Sequence, residues 1–211
     1  MSYICLIANR NGAALSGDSR LTMEPRFLHL HFDKTRKVFS DPEQRMAWAC
    51  CGLTLYLGIH YFKLANRILR QSHRSLSSRL SQISGILSKA TALQHLVTRK
   101  DSVFELLLAA VTEDGVQVYQ LEVVNGKAKL KRHAAPVFLQ AGWLPKLHQK
   151  PPVLAEYENE TMEQLTTRAR ERCVWAMKRD KHLSEENHKH TQTIGGSIRV
   201  ASLSTKEPEL P

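Results

Sequence analysis

Apolar and polar positions alternate from the first residues of the chain. Tyr3 to Ala8 reads as a strand, Asn11-Gly12 is a strong short hairpin signal, and Ala13 to Ser16 returns antiparallel into Gly17-Asp18-Ser19-Arg20. Such a hairpin sets Asp18 beside the start of the chain. Leu21 to Pro25 reads as a turn. Phe27 to Phe32 alternates with period two, with His29 and His31 on one face, a pair that lacks a third metal ligand. Lys37 to Ser40 is a short strand ended by Asp41-Pro42. Met46 to Cys51 is apolar on both faces, as expected of a central strand.

The period then changes. Leu53, Leu57, His60/Tyr61, Leu64 and Ile68 recur at spacings of three and four and predict a helix from Leu53. A break over Ser72 to Ser78 precedes a second helix, Leu76 to Val97, with Leu80, Ile83, Leu87, Ala90 and Leu93/Leu96 inward. Strands resume at Val103 to Val111, Val116 to Val124, a basic edge strand Lys127 to His133 after Asn125-Gly126, and Val137 to Gly142 behind Pro136. Trp143 to Glu158, with three prolines, reads as loop. Glu160 to Lys181 predicts a helix capped by Asn159 and Glu163, with Met162, Leu165, Ala169, Cys173 and Ala176/Met177 inward. Asp180 to His190 reads as exposed, Gly195-Gly196 as a turn, and Ile198 to Leu203 as the last strand. This order predicts an α+β fold with two antiparallel sheets and helices on their outer faces. One domain over residues 1–203 and a tail over 204–211 are expected.

Composition changes this picture little. With 211 residues, 42% hydrophobic and 24% charged, the chain has the balance of a soluble globular protein. No apolar run reaches about eighteen residues, and no signal-peptide pattern opens the chain, so a cytoplasmic protein without membrane spans is expected. Cys5, Cys50, Cys51 and Cys173 sit in apolar stretches and read as buried free thiols. The net charge of +10 raises RNA binding as an option. The basic residues, among them Arg67, Arg70, Arg74 and Arg79, are scattered and lack interleaved aromatics, which favours a solvated basic surface. No dinucleotide-fold, P-loop, HExxH, GxSxG or CxxC motif occurs, so no cofactor or metal is expected.

Five segments carry a family likeness. Ser2-Tyr3-Ile4-Cys5 resembles the start of mature proteasome β-subunits, whose first residue is the nucleophile. Gly12-Ala13-Ala14-Leu15-Ser16-Gly17-Asp18-Ser19-Arg20 resembles their G-V-V-L-A-A-D-x-R strand. Thr35-Arg36-Lys37-Val38 resembles the segment bearing the active-site lysine, and Ala49-Cys50-Cys51-Gly52-Leu53 the A-G-G turn of the oxyanion hole. Ile194-Gly195-Gly196-Ser197-Ile198-Arg199-Val200 resembles the S-G-G-x-I-x-V strand. The chain thus resembles the N-terminal nucleophile hydrolases of the proteasome β-subunit type, including the HslV peptidase and its Anbu relatives. The resemblance implies a four-layer αββα sandwich, a homo-oligomeric ring and hydrolysis of a peptide or other amide, and leaves an ATPase partner open. It assigns Ser2 as nucleophile once Met1 is removed, Asp18 and Lys37 as the supporting ion pair, and Gly52 as the oxyanion donor. Two family groups have no match. The G-S-G serine falls at Ala141-Gly142-Trp143, and the S-G-G serine and the aspartate three residues before it fall at Ile194 and Thr191.

Each residue alone has a plainer reading: Met-Ser is a common start, Asp18-Ser19-Arg20 suits a turn, Lys37 suits a surface, and Gly52 suits a helix-start turn. Two functions from different classes therefore stand side by side. One is an N-terminal-serine amide hydrolase; the other is a non-catalytic subunit of the same fold that acts as a scaffold.

Overall fold

The structure is a computed structural model that describes residues 2–23, 30–32, 34–142, 156–186 and 194–206. Its centre is the N-terminal hairpin, β1 (Tyr3–Asn9) and β2 (Gly12–Asp18), in which every residue is buried. Period-two alternation divides each strand between two environments. Ile4, Leu6, Ala8, Ala13 and Leu15 enter one apolar cluster, while Tyr3, Cys5, Ile7 and Ala14 enter another. Leu6 faces Leu15, and Asn9 faces Gly12 across a loop of Arg10 and Asn11. A slip of one residue would exchange the two faces, so burial on both sides fixes the register.

The hairpin is the middle of a four-stranded antiparallel sheet, flanked by β12 (Val137–Gly142) beside β1 and β13 (Ile198–Ser204) beside β2. A second antiparallel sheet has the order β11 (Lys127–Ala134), β10 (Gly115–Val124), β9 (Val103–Thr112), β6 (Met46–Gly52), β5 (Val38–Asp41). Ala47, Ala49, Cys51, Leu107, Ala109 and Val118 of this sheet join Ile4, Leu6 and Leu15 of the first in one cluster. Trp48, Phe104, Leu106, Leu108 and Leu121 pack instead with α1 (Tyr61–Leu69) and α2 (Leu76–Thr98). α3 (Met162–Glu186) lays Leu165, Ala169, Cys173 and Ala176 on Tyr3, Cys5 and Ile7. The fold is α+β, with two main antiparallel sheets, two small two-stranded ones and three helices among the described residues; the two main sheets are those that the element order predicts. None of these helices is long and apolar enough to cross a membrane.

Several local expectations are corrected. Leu21–Met23 is not a turn but β3, paired with β4 (Leu30–Phe32), which satisfies backbone groups that a free turn would leave to water. Phe27, Leu28 and His29 lie outside the described residues, and with His29 the question of a histidine pair. Leu53 does not begin a helix. Leu55–Tyr56 (β7) and Ile59–His60 (β8) form a small hairpin, and Leu57 and Gly58 take positive φ at its turn. Leu57 is 70% exposed, so its helical spacing was coincidental. His60 then caps α1, its ring accepting from the Lys63 amide. Leu93 and Leu96 are exposed rather than inward, because the core under α2 ends at Ala90. Arg79 is buried, not part of a solvated basic surface; its guanidinium donates to the Leu69 carbonyl at the end of α1 and to Gln44. The cap of α3 is Thr161 with Gln164 in a reciprocal capping box, respectively two residues after Asn159 and one after Glu163. Asn159 accepts from Arg10 instead.

Candidate active site

Asp18 is the last residue of β2, carried to the sheet end by the hairpin, where backbone donors have no strand partner left. Its carboxylate collects three of them and the Lys37 ammonium. Oδ1 accepts from the Tyr3 amide and from Lys37 Nζ, each at 2.9 Å. Oδ2 accepts from the Arg20 amide at 3.1 Å and the Gly195 amide at 3.3 Å. A carboxylate with no solvent exposure is tolerable only with such complete bonding.

Lys37 reaches Asp18 from the position just before β5, and its side chain is fully buried too. Nζ also donates to the Arg20 carbonyl. Its own carbonyl takes the Cys50 amide at 2.9 Å, which ties the lysine to β6. The plain reading of Lys37 as a surface residue is therefore excluded. Ser2 is buried, and its neighbour's amide is the one that Asp18 holds. Asp18 and Lys37 thus meet as one buried ion pair, and Ser2 adjoins it only through the Tyr3 amide that Asp18 holds.

Gly52 ends β6 with an exposed backbone and φ of +89°, where a Cβ would fall 2.1 Å from the Val103 carbonyl oxygen. Only glycine fits such an approach. Its carbonyl accepts from Thr54 Oγ1. The preceding residue links it to Ser2: the Cys51 thiol donates to Glu105 Oε2 at 3.4 Å, and the same oxygen takes the Gly142 amide at 2.8 Å. Gly142 has φ of +110° and lies against Ser2, since a Cβ there would meet the Ser2 carbonyl oxygen at 1.9 Å. Tyr3 faces Gly142 in the β1–β12 register.

Two further groups belong to this end of the molecule and were not anticipated. Glu105 is the lone charge in the strand Val103 to Val111, and that isolation is the signal the sequence offers. Asp180, expected to be exposed, is completely buried and accepts from the Ile194 amide at 2.7 Å. It continues the spacing of Leu165, Ala169, Cys173 and Ala176, so it lies on the inward face of α3. The segment that Asp180 anchors is the one whose Gly195 donates to Asp18 and accepts from the Ser19 and Arg20 amides. Ser19 Oγ in turn accepts from the Ser197 amide at 2.8 Å. Thr191 lies outside the described residues.

The thiols here are poor nucleophiles. Burial pushes Cys5 up to about 11, against hydrogen bonds from Ser16 that oppose it. Burial also holds Cys51 well above its ordinary value; the Glu105 carboxylate adds to this and Lys37 opposes it. Cys50 and Cys173 are raised by burial as well. At neutral pH all four stay protonated, which leaves hydroxyl, amine and carboxylate chemistry to the site.

No family model and no curated protein matches the chain. Among solved structures it is similar to Anbu (ancestral beta-subunit) from Yersinia bercovieri, at a TM-score of 0.51 and 14% identity, over 96% of this chain and 82% of that one. The fold is proteasome-like. At that identity the likeness concerns the fold alone.

Proposed function

We propose that this chain is an N-terminal-serine amide-bond hydrolase of the proteasome β and HslV type. The single observation that supports it best is the Asp18 carboxylate, which holds both the Tyr3 amide and Lys37 Nζ at 2.9 Å and so fixes a buried cation beside residue 2. In this reading the two sheets and three helices stack as four layers, residues 1–203 form one domain, and residues 204–211 form a tail. The working form is a cytoplasmic homo-oligomer whose ring encloses the site.

Removal of Met1 leaves a free α-amine on Ser2, whose ordinary pKa of roughly 7.7–8.0 suits a general base. The amine takes the proton from its own hydroxyl as Oγ attacks the substrate carbonyl. Lys37 opposes protonation of that amine by like-charge repulsion, and Asp18 keeps Lys37 charged and in place. The Gly52 amide stabilises the oxyanion, an effect of about 3–4 kcal/mol for one donor. Collapse of the tetrahedral intermediate breaks the C–N bond and leaves an ester on Ser2, and the leaving amine takes the proton. Water then attacks the ester, with the Ser2 α-amine again as base, and the ester C–O bond breaks to release the acid and return the Ser2 hydroxyl. No cofactor enters these steps.

A second reading is a non-catalytic, scaffold-like subunit. Gly142 favours it, because this residue lacks the hydroxyl that the resemblance places near the terminal amine. Intact-mass measurement separates the two. Hydrolase chemistry requires a chain lacking Met1 with an unmodified Ser2 amine; a retained methionine or an acetylated serine leaves only the scaffold.

A further inference from the structure

Glu105 stands where the two sheets come together beside Ser2. Every other residue from Val103 to Val111 is apolar, and a half-buried carboxylate in such a strand loses hydration that must be replaced. Its replacement comes from both sheets. Oε2 takes the Gly142 amide from β12 and the Cys51 thiol from β6, the residue before Gly52. Gly142 carries the contact onward, because its Cα lies against the Ser2 carbonyl in a space that no Cβ could share. Two contacts therefore separate Glu105 from the backbone of Ser2. On the opposite side, Asp18 reaches the same backbone through the Tyr3 amide. Lys37 and Glu105 both act electrostatically on the Cys51 thiol, with opposite signs, which places all three within one field.

We propose that Glu105 is a positioning residue of the Ser2 site, holding Gly142 against Ser2 and supplying a fixed negative charge that offsets Lys37 at the Ser2 amine. This rests on the hydrolase reading above. Lys37 alone would drive the amine toward its neutral form. A second carboxylate opposes this and returns the amine's proton affinity toward the working pH. The plainer alternative is a structural tie between sheets, which would affect rate and stability but not the amine's titration.

The experiment follows inactivation by a β-lactone probe across a pH series, read as intact-mass adduct on the full chain. Glu105→Gln keeps an acceptor for Gly142 and removes the charge. Its acid limb should move to lower pH by about half a unit to one unit, since the amine loses an anionic neighbour. Glu105→Ala should show the same shift with a slower rate, and serves if the amide variant does not fold. Glu105→Asp, which keeps the charge, should restore the wild-type limb. Limbs that superimpose across wild type, Gln and Ala variants overturn the proposal for Glu105 while leaving the hydrolase reading intact. Absence of any adduct in the wild type overturns both.

Discussion

Breaking the Asp18–Lys37 pair should show what holds the site together. Both side chains have no solvent exposure and meet at 2.9 Å. Asp18→Asn removes the carboxylate bonded to Lys37 Nζ, leaves a buried ammonium facing the Arg20 carbonyl, and turns amide donors toward some of the backbone amides that the carboxylate had satisfied. A cost of about 3–5 kcal/mol is expected, as for a buried pair that loses one partner. Lys37→Met is milder, about 2–3 kcal/mol, because the stranded carboxylate keeps three backbone amides, those of Tyr3, Arg20 and Gly195. The double variant should cost less than the sum of the singles by about 2 kcal/mol or more, since neither charge is then left alone. Urea denaturation of all four proteins at neutral pH, with unchanged m-values, measures the cycle. Additive effects within about 0.5 kcal/mol, with each single below about 1 kcal/mol, would mean a solvated pair and refute the reasoning.

Glycine substitutions should separate by site. Gly142→Ala, with φ of +110° and backbone 1.9 Å from the new Cβ, should lose more than about 2 kcal/mol; Gly85→Ala, in the middle of α2 with nothing within 4 Å, should gain about 0.5–1 kcal/mol. Thermal unfolding of the two variants decides this, and a destabilised Gly85→Ala would contradict it. Thr161→Ala should cost about 1 kcal/mol by uncapping α3, and Asn159→Ala only a few tenths, measured by denaturant titration; the reverse order would restore the sequence-based cap. The thiols give a pH test. Burial raises the Cys5 thiol to about 11 and the other three likewise, so thiolate is scarce in the folded state at pH 8. Maleimide mass labelling at that pH should modify none of the four quickly, and all four after unfolding; one fast-reacting cysteine would contradict their burial.

Local alternation was enough to read the N-terminal hairpin, because both its faces are buried and its turn is short. The same holds for β5, β6 and the run of strands from β9 to β12, where turn residues punctuate period-two patterns. Helical spacing misled where it was sustained by chance: Leu53 and Leu57 match a helix period, yet the Leu57-Gly58 turn overrides it. The Asp18–Lys37 pair was legible through a resemblance of motifs, since each residue sits at a strand end whose sequence is short and ordered. Glu105 and Asp180 were not, because their roles arise from strands and helices distant in sequence. Glu105 meets Gly142 across 37 positions, and Asp180 meets Ile194 across 14. A charge inside an apolar run, or on the buried stripe of a helix, marks such a contact without naming its partner.

The most direct measurement is the mass of the intact chain before and after treatment with an epoxyketone or β-lactone probe. The hydrolase account predicts a chain lacking Met1 that gains one probe per subunit, mapped to Ser2, and no gain in Ser2→Ala. A chain that keeps Met1, takes up no probe, or is labelled equally well in Ser2→Ala would contradict it.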